Sequence, residues 1–370
     1  MKIAVITFHN TMNYGASLQC AALSRRLTSL GNQVEVVNYL PYYVQDKRSP
    51  LKELKKARNL RGFVKGTAYL AHTRVMQGRN RKIGGFLGEN VTLTREYHSI
   101  AELRANPPKA ELYLCGSDQI WNPTLTGDSL DEAFFLRFGN RDVSRAAYGV
   151  SVGELDAERF SDELREFTKG FDCVSVREKS IAERLSKVLG REVSAVLDPT
   201  LLLEKEDCRT MERPCKPCPG KYLLLYTVRN SDAAVKAAKR IAAERGLSLV
   251  DISLNPFHRV RHSIKMLNIG PGEFLTLFRN AEYVIANSFH GTAFSVLYEK
   301  DFNSALHPVR GARERDLLSA LGLTDRILTD ADKLNMNAID YQSVRDKLRA
   351  LRYGSNAFIQ RMLDRGGQLT

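Results

Sequence analysis

The sequence predicts an α/β protein made of two parallel-sheet halves, and three observations carry that prediction. The chain has 370 residues, more than one hydrophobic core usually holds. Apolar runs of strand length alternate with helical patterns in two successive blocks. Between the blocks, over residues 204–221, the periodicity stops and Pro214, Pro217, Pro219 and Gly220 accumulate in a charged stretch that reads as a connection. The expected organisation is a first half over 1–203, a connector over 204–221, a second half over 222–340 and a helical C-terminal segment over 341–370 able to pack across either half.

The first block opens with a strand over 3–8 and a polar loop to Gly15. A helix carrying Leu18, Leu23, Leu27 and Leu30 follows, then Gly31 as a stop and a strand over 34–40. Short strands are expected near 112–115, 144–151, 173–177 and 193–197. The second block starts with a strand over 222–228, an Ala-rich helix over 232–245 and a strand over 247–254. It continues with a helix over 273–280, a strand over 283–287, a helix over 292–299 and a strand over 302–307. Both halves therefore read as Rossmann-like.

Hydrophobic residues at 43% and charged residues at 26% describe a globular chain able to bury a sizeable core. No apolar run reaches the length of a membrane span, and the run over 3–8 is too short for a secretory signal. Six cysteines without dense regular spacing fit a reducing compartment, so the expected location is the cytoplasm. Cys208, Cys215 and Cys218 include one Cys-x-x-Cys pair but lack a fourth ligand nearby, so neither zinc nor another metal is expected there.

The net charge of +13 is concentrated: residues 51–82 hold ten basic side chains against one acidic, Glu53. Apolar positions at helical spacing place this charge on one or two amphipathic helices. Two readings stand level, a solvated helix face and a contact with an anionic surface such as the inner leaflet of the cell membrane. Nucleic acid is not an expected partner, because Phe63, Tyr69 and Phe86 are too sparse for a stacking platform.

In open parallel sheets ligands collect at the carboxyl ends of strands. Four loops qualify: 9–19 (His-Asn-Thr-Met-Asn-Tyr-Gly-Ala-Ser-Leu-Gln), 115–123 (Cys-Gly-Ser-Asp-Gln-Ile-Trp-Asn-Pro), 175–178 (Ser-Val-Arg-Glu) and 287–292 (Asn-Ser-Phe-His-Gly-Thr). In the fourth, a strand meets a helix that begins right after His290. Unpaired amides and the helix dipole there favour an anion, with His290 beside it as a proton carrier. The alternative is that His290 caps the helix or bonds a buried carbonyl. Arg177 ends a strand, from which its guanidinium can fork onto phosphate or carboxylate, or pair with Glu178 as an ordinary ion pair. Asp118 can take a proton from an alcohol or cap the next turn. Trp121 is a flat wall for a ligand or a plug for the core. The first loop has a single glycine, Gly15, so a dinucleotide fingerprint is missing, while Asn13, Ser17 and Gln19 can hydrogen-bond a ligand.

Taken together, Asn13-Tyr-Gly-Ala-Ser-Leu-Gln19, Gly116-Ser-Asp-Gln-Ile-Trp-Asn-Pro123, Ser175-Val-Arg-Glu178, Leu197-Asp-Pro-Thr200 and Ser288-Phe-His-Gly-Thr-Ala-Phe-Ser295 resemble the polysaccharide pyruvyl transferase family in order and spacing, over about residues 1–325. The resemblance implies two Rossmann-like domains in a GT-B-like arrangement with a cleft between them. It implies transfer of pyruvate from phosphoenolpyruvate to a sugar of an exopolysaccharide or cell-envelope precursor, as a cyclic ketal, with no further cofactor. By resemblance His290 is the leading acid/base and Asp118 a second catalytic candidate. Arg177, Ser288, Gly291, Thr292, Arg310 and Arg313 fall on the donor side, and Asn13, Ser17, Gln19, Ser117 and Trp121 on the acceptor side. The chain departs from the family pattern at Ala16, where many members carry Asp, and at Ser288, where several carry Arg. Two other functions compete: a glycosyltransferase using a nucleotide sugar in the same cleft, and a non-enzymatic polyanion-binding protein using residues 51–82.

Overall fold

The computed structural model describes residues 1–46, 73–153, 157–217, 220–255, 260–306, 311–330 and 334–367. The first half is a seven-stranded sheet in the order β3-β2-β1-β4-β5-β6-β7. Its strands are β1 Lys2–Ile6, β2 Gln33–Tyr39, β3 Leu93–Tyr97, β4 Leu112–Cys115, β5 Ser144–Val150, β6 Cys173–Val176 and β7 Ser194–Ala195. The second half is a five-stranded sheet in the order β10-β9-β8-β11-β12, from β8 Tyr222–Tyr226, β9 Ser248–Asp251, β10 Ile264–Lys265, β11 Tyr283–Ala286 and β12 Asp301–Ser304. Every pairing is parallel. The fold class is thus the one the sequence predicts. The order reverses between β1 and β4 in one sheet and between β8 and β11 in the other, and the carboxyl ends of these four strands make the two switch points.

Two edge strands escape the hydrophobic pattern. β3, Leu-Thr-Arg-Glu-Tyr, is exposed over much of its length, and β10 is two residues long. The span expected to be an aperiodic connector contains a helix, Lys205–Met211, whose Cys208 and Met211 are buried in the second half's core. Cys208 is therefore a core residue, and burial pushes its thiol up to about 12. Cys215 is also a free thiol, and Cys218 lies outside the described residues.

The two halves meet through the helix Tyr14–Ser29, which is buried on both faces. Cys20, Leu23 and Leu27 pack on the first sheet with Ile3 and Val5, while Leu18, Ala21 and Ala22 join the second half's core. Tyr14 reaches that core directly, its ring 5.3 Å from the ring of Phe274. An interface of this apolar kind holds two domains together far more firmly than a polar one.

The basic segment contributes to the same seam. Its described part belongs to the helix Thr73–Asn90. Arg79 is buried, donating from Nε and Nη2 to the Leu267 carbonyl at 3.2 and 2.7 Å, with its guanidinium 5.4 Å from the centre of the Tyr14 ring. Lys82 pairs with Glu273 and donates to the Asn268 carbonyl at 3.1 Å. Arg79 and Lys82, two of the ten basic side chains of this segment, thus dock one half on the other. Residues 51–72 lie outside the described residues.

The C-terminal helix Tyr341–Gly367 crosses both halves. Tyr341 donates to the carbonyls of Ser295 and Lys300 in the second half. Further on, Arg352 donates to the carbonyls of Leu201 and Leu203, and Phe358 packs against Tyr148 of β5. Among the described residues no helix is long and apolar enough to cross a membrane.

Arg79→Ala leaves the half-buried Leu267 carbonyl without its two guanidinium donors and empties a buried site beside Tyr14. It is expected to lower the unfolding free energy by about 2–3 kcal/mol, read from urea denaturation, with the secondary structure unchanged by circular dichroism.

Candidate active site

All four loops singled out in the sequence reach one cleft of about 460 Å³ between the halves. Its walls include Asn13 from the first loop, Asp118, Gln119 and Asn122 from the second, Glu178 from the third and Asn287 to His290 from the fourth, with Arg229, Arg313 and Glu314 opposite. Four helices begin here, at Tyr14, Lys179, Phe289 and Ala312, three of them with their N-cap residue (Asn13, Glu178, Ser288) in the wall. Each brings the positive end of its dipole, about half a charge, to the same space.

Beneath the cleft lies a buried cluster that joins the halves. Asp198 follows β7 and caps a short turn, Pro199–Leu202, with Oδ1 accepting from the Thr200 amide at 2.9 Å and hydroxyl at 2.6 Å. Its other oxygen, Oδ2, stands 2.9 Å from Arg177 Nη1 and 3.6 Å from His290 Nε2. The first is an ion pair whose geometry makes no hydrogen bond and the second is longer than a hydrogen bond, so the guanidinium ends, Oδ2 and Nε2 are each left without a hydrogen-bond partner. Side-chain exposure is 1% for Arg177, 6% for His290 and zero for Asp198. Burial alone pushes the Asp198 carboxyl up, but Arg177, His290 and Thr200 together outweigh it and hold the acid well below the usual range. Asp198 is therefore a fixed negative charge.

The backbone around this carboxylate is held from both sides. The Leu197 amide donates to Ser355 Oγ of the C-terminal helix at 2.9 Å, and Tyr148 Oη donates to the Leu197 carbonyl at 3.0 Å. Arg177 is pinned in turn, its Nε donating to Ser117 Oγ at 2.7 Å and the Gly149 carbonyl at 3.1 Å.

His290 sits in the first turn of the helix Phe289–Leu297, not before it as the sequence suggested, because Ser288 is the N-cap. Ser288 Oγ accepts from the Gly291 amide at 3.0 Å. Among the described residues the amides of Phe289 and His290 meet no acceptor. Gly291 is instead a packing requirement: a Cβ there would lie 2.6 Å from Ala286 Cβ. Thr292 is buried, its hydroxyl donating to the Ser288 carbonyl at 3.2 Å and bonded to Ser304 Oγ at 2.8 Å. On the other side of the seam the imidazole lies flat over Gly15, where a Cβ would be 2.1 Å from Nδ1. Only glycine leaves room for the ring.

Several sequence assignments are corrected by direction. Arg177 does not line the cleft; it underlies it, facing Asp198, with Asp118 Oδ1 3.8 Å from Nη2. Ser17 donates to the His9 carbonyl, and Gln19 donates to Thr7 Oγ1 and the carbonyls of Phe8 and Ala16, so both stabilise the first loop from inside. Ser117 supports Arg177. Trp121 is fully buried, stacked on Phe135 at 4.7 Å with Nε1 donating to the Phe134 carbonyl. Asn13 and Asp118 do reach the cleft, and Asp118 Oδ1 also accepts from the Gln119 amide at 2.8 Å. Arg313 lies in the wall with its guanidinium 5.9 Å from the Phe289 ring centre, and Arg310 lies outside the described residues.

Two residues carry no role in the sequence reading. Asp198, beneath the cleft, enters there only within the Leu-Asp-Pro-Thr segment of the family resemblance. Glu178 enters only as the alternative ion-pair partner of Arg177, whereas its carboxyl turns into the cleft wall, with Oε1 accepting from Ser151 Oγ at 2.6 Å. Among the described residues no group of three metal-ligating side chains gathers.

The fold and this cleft define a two-domain Rossmann-like protein of GT-B-like arrangement with a polar interdomain cleft. Two solved structures resemble it throughout. One is a Listeria monocytogenes protein provisionally described as a UDP-N-acetylglucosamine 2-epimerase, 12% identical, TM-score 0.52, covering 97% of this chain and 94% of that one. The other is the S. aureus MnaA complex with UDP, 14% identical, TM-score 0.51, covering 96% and 90%. Likeness at this identity shows the fold. No curated protein matches the chain in sequence. The model of the polysaccharide pyruvyl transferase family matches residues 13–302, and the chain belongs to that family.

Replacing Asp198 with Asn leaves buried Arg177 with only the more distant Asp118 carboxylate, at 3.8 Å, and is expected to cost about 3 kcal/mol at pH 7. Because the native carboxyl is held below its unfolded value near 3.9, its contribution is complete above that pH and fades as the pH falls further. Urea titrations of both proteins should therefore converge in strong acid.

Proposed function

We propose that the protein transfers pyruvate from phosphoenolpyruvate to two hydroxyls of a sugar in an exopolysaccharide or cell-envelope precursor, forming a cyclic ketal. The observation that carries this reading is the convergence of His290, Arg313, the Phe289 and His290 amides and four helix N-termini on one cleft in a member of this family. The donor carries a phosphate and a carboxylate, and such a site supplies the positive potential both need. Arg313, beside Phe289, provides the guanidinium that the chain lacks at Ser288. Asn13, Asp118, Gln119, Asn122 and Asn287 offer the mixed donors and acceptors that sugar hydroxyls require.

Chemically, the methylene carbon of the donor takes a proton, the neighbouring carbon becomes electrophilic, and a sugar oxygen attacks it as its proton leaves. The carbon–oxygen bond to phosphate then breaks with its electron pair, and the second hydroxyl closes the ketal. Two hydroxyl protons are released; one balances the new methyl group and the other leaves with phosphate. No oxidant or reductant is needed. His290, with Asp198 stabilising its imidazolium, is suited to accept a hydroxyl proton. Asp118 is a second acceptor at the same wall.

Incubation with phosphoenolpyruvate and a panel of lipid-linked and nucleotide-linked sugars should release phosphate and add a pyruvate-sized mass to one acceptor. His290→Ala is expected to lower turnover by about 10²–10⁴-fold. Arg313→Ala should weaken donor binding by about one to two decades, as loss of a charge-assisted contact implies. Thermal stabilisation by nucleotide sugars alone, with none by phosphoenolpyruvate, would select the glycosyltransferase reading instead.

A second test isolates the histidine's placement. Gly15→Ala should leave the fold intact by circular dichroism yet depress turnover at least tenfold by displacing the imidazole. Unchanged kinetics would show that the ring's position is immaterial.

A further inference from the structure

Glu178 is the N-cap of the helix Lys179–Leu189, but its side chain does not cap it. The residue is 2% exposed and in the cleft wall. Oε1 accepts from Ser151 Oγ at 2.6 Å, while Oε2 is buried without a partner. An orphaned carboxyl oxygen in a buried site is costly as an anion and much less so as an acid, whose hydroxyl can point at a ligand. The charged and polar groups facing it are Arg313, Ser151 and Arg177. Burial outweighs these three and the residue's own backbone amide, and pushes the carboxyl above its ordinary range.

We propose that Glu178 is the acid that protonates the methylene carbon of the donor, a step that rests on the pyruvyl-transfer reading above. The O–H bond of the carboxylic acid breaks as the new C–H bond forms with the electron pair of the enol double bond, which turns the methylene into a methyl group. The carboxylate left behind is stabilised by Ser151 and Arg313 and is reprotonated by a proton released from the acceptor hydroxyls. Burial of Glu178 opposes loss of this proton before substrate binds, and the opposite environment of Asp198, held ionised beside His290, fits that cluster for the base side of the reaction.

The test measures turnover, donor binding and pH dependence of the full chain. Glu178→Gln is expected to lower kcat at least 100-fold, while the phosphoenolpyruvate Kd and the melting temperature stay within threefold and about 2 °C of wild type. Wild-type turnover should fall on the alkaline side as the acid loses its proton. Ser151→Ala removes the donor that favours the carboxylate, so it should move that limb to higher pH; Glu178→Asp should retain part of the activity. In D₂O the wild-type ketal should carry one deuterium in its methyl group. A Glu178→Gln enzyme within tenfold of wild type, or an alkaline limb unmoved by Ser151→Ala, overturns the assignment while pyruvyl transfer stands. Absence of phosphate release by wild type from phosphoenolpyruvate with every acceptor overturns both.

Discussion

The arrangement depends on one buried carboxylate. Asp198 comes from the end of the first half, yet it faces an arginine anchored on β5 and the 117 loop and a histidine carried by the second half. Burying three ionisable groups is expensive, and the cost is offset only when countercharges meet and remaining polar atoms find partners. Here Thr200 satisfies one oxygen, while Arg177 and His290 share the other in ion-pair contact. Removing any one member strands the rest. The cluster therefore fixes the histidine's orientation and also ties the relative position of the halves to the chemistry of the cleft.

Around that electrostatic tie the seam is mostly apolar. The helix Tyr14–Ser29 belongs to the first sheet by connection and to both cores by packing, which accounts for its small residues: Gly15, Ala16, Ser17, Cys20, Ala21 and Ala22 allow close approach on two faces. The C-terminal helix straps the same two bodies and orients Leu197 through Ser355. A hinge between halves joined this way has little freedom to swing widely, because opening would expose Tyr14, Leu18 and the phenylalanines they meet. Access to the cleft is thus expected through its mouth and nearby loops more than through wide separation of the domains.

Much of this was legible in the sequence, for physical reasons that vary by element. Central parallel strands such as 3–8 and 283–287 are buried on both faces and read as apolar runs, and loops after them must gather at the switch points. The edge strands β3 and β10 lack that signature because water covers them. Residue type announced polarity at Ser17, Gln19 and Trp121 but not direction: a first loop that turns sharply into a buried helix needs internal hydrogen bonds, and Gln19 supplies three. In the basic segment Arg79 finds a carbonyl and Lys82 a carboxylate and a carbonyl on the other half, an encounter local sequence does not encode. Asp198 lies at no strand end that the sequence marks as a ligand loop, and its partners Arg177 and His290 are distant in the chain, so local pattern does not announce its carboxylate.

Two buried acidic side chains, Asp198 beneath the cleft and Glu178 in its wall, show why the partner matters more than the residue. Asp198 and Glu178 are both buried, and in each burial is the largest influence on the carboxyl, in the direction of protonation. Asp198 has a guanidinium at 2.9 Å, an imidazole and a threonine, and these reverse the sign. Glu178 has one close hydroxyl and more remote cations, and they do not. The same fold thereby holds one carboxyl charged and raises the other, with Arg177 committed through Nη1 to Asp198 and a lesser influence on Glu178. Had the guanidinium turned from Asp198 toward Glu178, both shifts would weaken, and the site would lose the contrast that acid and base chemistry at one pH requires.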